Sequence, residues 1–274
     1  MNTASSSAER TSHSRRRLRT ALLMGGTIAI TALIVGTVLT VGWTRSDAST
    51  RDTISQPFST IRVSSDATEL TVRYAEVDAT QVIFHQGNRI WKASLRHDVS
   101  GGVLTVAETG NSLTPFGWIP TDPTTLEIVL PKSEEATPPA VDTTTQSGDV
   151  HISGRFADVA VNSAAGNITL EGGADSLTVS AQSGNVSVEN YLLHGPLTGT
   201  TAAGNSDYSF RNLPSHAVLI SRAGNITFTV PHGSYLINCR SEAGTVHQTA
   251  PSTLGSERVY QLKATAGDIT VANR

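Results

Sequence analysis

Apolar and polar residues alternate through the second half of the chain, in short runs separated by a repeated turn. The turn is a small residue, Gly, Asn or Asp, and an aliphatic residue, as in Ala165-Gly166-Asn167-Ile168. It recurs at glycines 18 to 23 residues apart: Gly148, Gly166, Gly184, Gly204, Gly224, Gly244 and Gly267. A fixed period near twenty residues indicates stacked supersecondary units.

The alternation changes its phase at each glycine. Two apolar residues, such as Val159 and Val161, precede the turn at every second position, and two others, such as Ile168 and Leu170, follow it. A period of two predicts a strand with one buried face. The phase change predicts a corner, where Gly allows a backbone conformation that a β-carbon opposes.

The residue after the glycine carries an amide or a carboxylate in six of the seven repeats: Asp149, Asn167, Asn185, Asn205, Asn225 and Asp268. Such side chains bond to nearby backbone groups, and stacking of successive units predicts a ladder of amide hydrogen bonds. The predicted fold is therefore all-β. It is a parallel β-solenoid or β-roll of about seven regular coils of 18–23 residues, stacked about 4.8 Å apart.

Two coils depart from this pattern. The sixth has Thr245 in place of Asn and Gln248 at a core position, and the fourth has Ser206 where an aliphatic residue is usual. We expect these coils to be the loosest.

The regular repeats occupy residues 133–274. Residues 56–132 show apolar alternation with less regular spacing, and they predict an irregular β cap that includes the first coils. Residues 44–55 are polar and predict a linker.

The N-terminal segment predicts a membrane anchor. Residues 1–20 carry five arginines, and residues 21–43 contain no charged residue, which is long enough for a transmembrane helix. The arginines place residues 1–20 in the cytoplasm and the β domain outside the plasma membrane. A cleaved signal peptide ending near Ser46-Asp47-Ala48 is the alternative. Either way, the β domain is exported.

Candidate chemistry is sparse. The net charge of −3 argues against nucleic acid as a partner, and no catalytic, cofactor or metal-binding motif is present. Cys239 occupies an inward position and predicts a buried apolar role. Glu171 and Glu189 lie on adjacent coils, where they are solvated charges, a cation site or an acid–base pair. We expect no cofactor, no metal and no enzymatic activity.

Two places suggest partner contacts. Phe116 and Trp118 lie in a loop, where they pack onto the cap or contact a partner or the membrane surface. Ile269 and Val271 belong to the last strand, after which the sequence shows no cap. We expect that strand to expose an edge for self-association or for capture of a partner.

Residues 58–274 resemble the bacterial β-strand-repeat family labelled "putative adhesin", an envelope domain of unknown function. The strand Leu126-Glu127-Ile128-Val129-Leu130-Pro131 and the Ser-Gly-Asp-Val and Ala-Gly-Asn-Ile turns carry this resemblance. It implies a non-enzymatic module for binding, adhesion or envelope-stress sensing, with an envelope protein or cell-wall polymer as partner. The alternatives are a polysaccharide-acting solenoid enzyme, and an ice- or mineral-binding rod that would use pairs such as Thr198-x-Thr200 and Thr227-x-Thr229.

Overall fold

The computed structural model describes residues 49–86, 93–109 and 124–274, and these residues form an all-β fold, which confirms the predicted class. Within them the strands are β1 (Ser49–Ile54), β2 (Thr60–Ser65), β3 (Glu69–Ala75), β4 (Thr80–His85), β5 (Ser94–Ser100), β6 (Val103–Thr109), β7 (Thr125–Pro131), β8 (Ala140–Thr145), β9 (Val150–Arg155), β10 (Asp158–Ala165), β11 (Ile168–Ala174), β12 (Ser176–Ser183), β13 (Val186–Leu193), β14 (Pro196–Ala203), β15 (Ser206–Phe210), β16 (His216–Ala223), β17 (Ile226–Val230), β18 (Leu236–Ala243), β19 (Val246–Gln248), β20 (Val259–Ala266) and β21 (Ile269–Asn273). A short 3₁₀ helix, Lys132–Ala136, follows β7.

The strands form two sheets. In the described residues, sheet A has the order β1-β4-β7-β3-β9-β11-β13-β15-β17-β21-β19, and sheet B has the order β18-β20-β16-β14-β12-β10-β8-β2-β6-β5. Each regular coil contributes one strand to sheet B and, after its Gly corner, one strand to sheet A. Neighbouring coils pair in parallel, so the repeats stack as a solenoid.

The pairing register places equivalent residues of successive repeats side by side. Val159 pairs with Leu177, and Leu177 pairs with Leu197. These side chains are buried, as is Ile168 beyond the corner, so the inward positions follow the predicted change of phase. Small residues such as Ser163 are buried next to the corner, where the two sheets come close together.

An aromatic column thickens the core away from the corners. Its side chains are Tyr191, Phe210, Phe228, Tyr260 and Tyr235, with neighbouring ring centroids 5.3–6.5 Å apart. Another large core residue, Tyr208, explains why Gly199 stands where other coils have an aliphatic residue. A β-carbon on Gly199 would overlap the hydroxyl group of Tyr208. The core therefore alternates small and large residues rather than repeating one size.

The coils do not stack in the order of the sequence. β20 lies between β16 and β18, and β21 lies between β17 and β19, so the seventh coil is inserted between the fifth and the sixth. The expectation that the last strand forms the free edge was therefore wrong. Ile269 and Val271 are fully buried, and the sixth coil (β18–β19) ends the stack.

This exchange has a physical reason in the two sequences. At equivalent positions the seventh coil directs Leu262, Ala264, Ile269 and Val271 inward, whereas the sixth directs Cys239, Ser241, Val246 and Gln248 inward. Burying the more apolar coil inside the stack removes more apolar surface from water. The 23-residue step from Gly244 to Gly267 leaves enough chain to pass the sixth coil.

A similar exchange occurs at the other end of the stack. β2 pairs in parallel with β6 on one side and with β8 on the other, so the coil β2–β3 lies between the coil β6–β7 and the first regular coil. Antiparallel strands then close this end, with β4 on β7, β1 on β4 and β5 on β6. The described part of residues 56–132 therefore contains two coils together with antiparallel strands.

β1 corrects one sequence prediction. Residues 49–54 were assigned to the linker 44–55, but they form a strand at the edge of sheet A. Ile54 is the buried residue of this strand, so the apolar alternation that marks a strand is missing. Residues 1–20, the apolar segment 21–43, Phe116 and Trp118 lie outside the described residues. In the part that the structure describes, no helix has the length and apolar character needed to cross a membrane.

Candidate functional site

The seven repeat glycines form a column along one edge of the solenoid. Their φ angles lie between +112° and +156°, a region that favours glycine. Stacking adds a second constraint, because a β-carbon on Gly184 would overlap the carbonyl oxygen of Gly166, and one on Gly204 would overlap that of Gly184. The sequence predicted the first constraint, whereas the second depends on the neighbouring coil.

The residues after these glycines form a second column. The backbone N–H of Asn185 donates to Oδ1 of Asn167 (3.1 Å), and the N–H of Asn205 donates to Oδ1 of Asn185 (2.9 Å). In stacking order the column is Asp149, Asn167, Asn185, Asn205, Asn225, Asp268 and Thr245. The side chain thus acts mainly as an acceptor for the next backbone N–H, which explains why Asp can replace Asn.

The column ends at Thr245. Its backbone N–H and its hydroxyl both donate to Oδ1 of Asp268, at 2.7 and 2.8 Å. These two hydrogen bonds lower the pKa of the Asp268 carboxyl group below its ordinary value. Thr245 has no described coil beyond it and therefore needs no acceptor for a further N–H, which accounts for the missing Asn in the sixth repeat.

A buried carboxylate replaces the column at the other end. Oε2 of Glu108 accepts hydrogen bonds from Ser65 Oγ (3.0 Å) and from the backbone N–H groups of Asp66 (2.9 Å) and Ala67 (3.3 Å). Glu108 is 1% exposed. It fixes the corner of the coil β2–β3, where no Gly-Asn turn is present. The sequence analysis missed this role because the corner lacks the repeat motif.

The acidic side chains of sheet A are exposed. Glu171 and Glu189 are direct neighbours in the register of β11 and β13, as their repeat positions predicted, and Asp207 lies on the next strand. Partial burial, and then the charge of Glu189, raise the pKa of Asp207. All three side chains are open to solvent. Within the described residues, no group of three or more His, Cys, Asp or Glu side chains could hold a metal ion.

A shallow groove lies at the N-terminal end of the stack. It encloses about 390 Å³ and is lined by Thr53, Ile54, Ser55, Gln56, His97, Asp98 and Val99. His97 Nδ1 lies 3.7 Å from a carboxylate oxygen of Asp52. The lining side chains are mostly polar and face an open edge between β1 and β5.

The outer surface of sheet B carries mostly small, uncharged side chains on three adjacent strands. Its outward residues on β10, β12 and β14 lie in two rows across the strands. The rows are Ala160, Thr178 and Thr198, and Asn162, Ser180 and Thr200. We call these six residues the polar face. No charged side chain belongs to these two rows on the three strands, and Val218 and Ile220 continue the rows on β16.

The sixth coil forms the open end of the stack. Its outward residues are exposed, and the inward positions Val246 and Gln248 are exposed as well, so this coil is less well covered than the others. That it is also the loosest coil stays a prediction. Ser206, the exception in the fourth coil, is instead buried and hydrogen-bonded to Thr201 (2.7 Å). Cys239 is half-buried rather than fully buried, and burial raises the pKa of its thiol to about 11.

The structure brings together the predicted turn residues and buries two of the predicted contact residues. The Gly and Asn/Asp residues line one edge and have a structural role. Ile269 and Val271 are inside the stack. The sequence analysis missed the exposed edge of β18, although the non-aliphatic residues Cys239 and Gln248 at core positions of the sixth repeat were signals for it.

These features define an all-β repeat domain whose coils stack as two sheets. Residues 58–273 match the sequence model of the Toastrack family, DUF4097, so the chain belongs to that family and the predicted resemblance is confirmed. No curated protein matches the sequence.

Several solved structures are similar to this chain. One is called a putative lipid binding protein, from Parabacteroides distasonis, with 13% identity, a TM-score of 0.46, and coverage of 82% of this chain and 96% of that chain. A putative adhesin from Bacteroides fragilis has 14% identity and a TM-score of 0.42, with the same two coverages. A putative cell adhesion protein from Clostridium sporogenes has 10% identity, a TM-score of 0.38, and coverage of 82% and 99%.

Proposed function

We propose that this chain is a non-enzymatic binding module of the bacterial cell envelope. The apolar segment 21–43 anchors it in the plasma membrane, and the solenoid extends outside the membrane. Membership of the Toastrack family supports an envelope role. The basic residues before the apolar segment support this orientation.

The polar face is the observation that carries the proposal. Thr178 and Thr198 are register partners, as are Ser180 and Thr200, so equivalent side chains are repeated at the strand spacing of about 4.8 Å. Hydroxyl and amide groups both donate and accept hydrogen bonds. A regular, uncharged array of such groups suits an extended neutral glycan, in which hydroxyl groups also recur along the chain.

A catalytic role is the second candidate class, and the geometry supports it less well. Glu171 and Glu189 are adjacent, but both are exposed on an open sheet surface. A carboxylate pair that hydrolyses a glycosidic bond needs one group with a raised pKa in a site that holds the sugar between them. We therefore infer binding of a cell-wall polysaccharide without its hydrolysis.

Cosedimentation with insoluble cell-wall polysaccharide tests the proposal, with the full chain in detergent micelles. The double variant Thr198→Lys/Thr200→Lys places two bulky charges on the polar face. The matched control, Thr227→Lys/Thr229→Lys, makes the same change on the outer surface of sheet A. We expect binding by the wild type and by the control, and at least a tenfold loss for the polar-face variant. Absence of wild-type binding, or equal loss in both variants, contradicts the proposal.

A further inference from the structure

The open end of the stack is only partly covered. β18 pairs with β20 on one side, and in the described residues no strand pairs with its other side. The connection 249–258 crosses the first part of β18, where the N–H of Ile237 donates to Ser252 Oγ (3.0 Å) and the N–H of Thr253 donates to the carbonyl of Tyr235 (2.8 Å). Residues 238–243 extend beyond this cover.

The backbone of this segment presents groups that can pair with another strand. The N–H of Leu236 donates to the carbonyl of Arg258 (2.8 Å), on the side of β20, and the N–H of Ile237 points to the opposite side. Backbone groups alternate between the two sides of a strand. Those of Cys239 and Ser241 therefore point away from β20, where the described part of the chain offers them no strand partner. The carbonyl of Ala243 is different, because it accepts a hydrogen bond from the N–H of Gly267 (2.9 Å) in the seventh coil.

Apolar groups near this edge are also incompletely buried. Val246 is 44% exposed and Leu254 is 89% exposed, whereas Ile269, the neighbour of Val246 in the next coil, is fully buried. Cys239 is half-buried, whereas its neighbour Leu262 is 1% exposed. Covering this end would remove apolar surface from water, which is favourable.

The charged side chains of β18 can form ion pairs between two copies of the strand. Arg240 and Glu242 are both exposed and lie two positions apart, on the outer side of sheet B. If two copies of β18 pair antiparallel about Ser241, each Arg240 lies opposite a Glu242 of the other copy. Pairing about Arg240 would place two arginines opposite each other, which is unfavourable. Pairing about Cys239 would give Arg240 a neutral partner.

We propose that a second copy of this chain pairs with residues 240–242 of β18, antiparallel and centred on Ser241, to give a symmetric end-to-end dimer. A two-fold axis repeats each contact, so both Arg240–Glu242 pairs form together. The inference goes beyond the proposed function and does not rest on it. The contact is limited to half a strand and a few apolar side chains, so we expect a dissociation constant on the order of 10 μM, as in small transient interfaces.

Charge reversal tests this dimer. Analytical ultracentrifugation of the full chain in detergent micelles would compare the wild type with Arg240→Glu, Glu242→Arg and the double variant. Each single change sets like charges against each other twice, and we expect about a tenfold weaker association. The double variant restores both opposite-charge pairs, and we expect near wild-type association. In the wild type, Lys263 forms an ion pair with Glu242. The double variant still has an acidic side chain next to Lys263, because position 240 is its register partner.

Several outcomes overturn the proposal. A wild-type chain that stays monomeric at about ten times the expected dissociation constant excludes the dimer. Association that all three variants leave unchanged places the contact elsewhere, including in the apolar segment 21–43. Association that the double variant fails to restore excludes this register.

Oxidative cross-linking tests the register itself. In the proposed dimer the two Ser241 residues face each other as a hydrogen-bonded pair, with Cα atoms about 5.5 Å apart, within disulfide range. The variant Cys239→Ser/Ser241→Cys should therefore cross-link under copper phenanthroline. Wild-type Cys239 lies opposite Ala243 and should not. Cross-linking of the wild type without cross-linking of the variant contradicts the register.

Discussion

The backbone N–H of Asp268 donates a hydrogen bond of 2.8 Å to Oδ1 of Asn225, a residue 43 positions earlier in the chain. In the preceding part of the column, partners are 18 or 20 positions apart. The long separation arises because the seventh coil stacks on the fifth. The sixth coil then binds the outer side of the seventh, through Thr245 and Asp268.

The glycine column should tolerate no side chain. Gly184→Ala introduces a β-carbon at a φ of +120°, where it also overlaps the carbonyl oxygen of Gly166. We expect a loss of about 3 kcal/mol or more in the free energy of unfolding. Gly255→Ala is the control, because φ is +82° but no atom lies near the new β-carbon. Its cost should be about 1 kcal/mol. Chemical denaturation measures both, and equal costs would contradict the stacking constraint.

The Asn column should require an acceptor oxygen rather than an amide. Asn185→Ala leaves the N–H of Asn205 without its side-chain partner, and we expect a cost of about 1–2 kcal/mol. Asn185→Asp keeps the oxygen and should cost less. Thermal or denaturant unfolding of the two variants distinguishes these effects. An Asp variant as unstable as the Ala variant would show that the amide nitrogen matters.

The attachment of the sixth coil should weaken in acid. Two hydrogen bonds from Thr245 lower the pKa of Asp268 in the folded state. A lowered pKa stabilises the folded state above the ordinary pKa of Asp, about 3.9, and this contribution is lost as the pH falls through the folded-state value. We expect hydrogen-exchange protection of the Thr245 amide, corrected for the intrinsic rate, to fall there. Asp268→Asn keeps the acceptor without titrating, so the same fall in that variant would contradict the assignment.

The thiol of Cys239 should react slowly. Burial raises its pKa to about 11, from an ordinary value of 9.0. At mildly alkaline pH the thiolate fraction is then about a hundredfold lower than in the unfolded chain, and the thiolate is the reactive form. A thiolate of higher pKa is more nucleophilic, which offsets part of this loss, so we expect alkylation by iodoacetamide to be about tenfold slower in the native protein. Equal rates in native and urea-unfolded protein would show that the sixth coil is open.

The sequence predicted the repeat but could not predict the stacking order. Period-two alternation around residues such as Val159 and Ile168 follows from burial of one strand face, so local pattern was sufficient. The order of coils depends on a comparison between whole coils, because the same Gly-Asn corner lets any coil stack on any other. Thr245 and Gln248 marked the sixth coil as exceptional, and the structure shows that they belong to the end of the stack.

The candidate surfaces were less predictable than the fold. The polar face requires the register that places Thr178 beside Thr198, which only the pairing of complete coils provides. Glu108 lies outside the repeats, and its hydrogen-bond partners are more than forty positions earlier. No local pattern identifies such a contact.

The exchange of the last two coils is the central structural claim, and paired cysteines test it directly. In a Cys239→Ser background, Thr227→Cys/Thr270→Cys joins register partners of β17 and β21, about 4.8 Å apart and within disulfide range. Thr227→Cys/His247→Cys joins residues two strands apart, about 9.6 Å, which is too far. We expect an intramolecular disulfide in the first variant and none in the second. The reverse result would mean that the coils stack in sequence order and that β21 forms the free end.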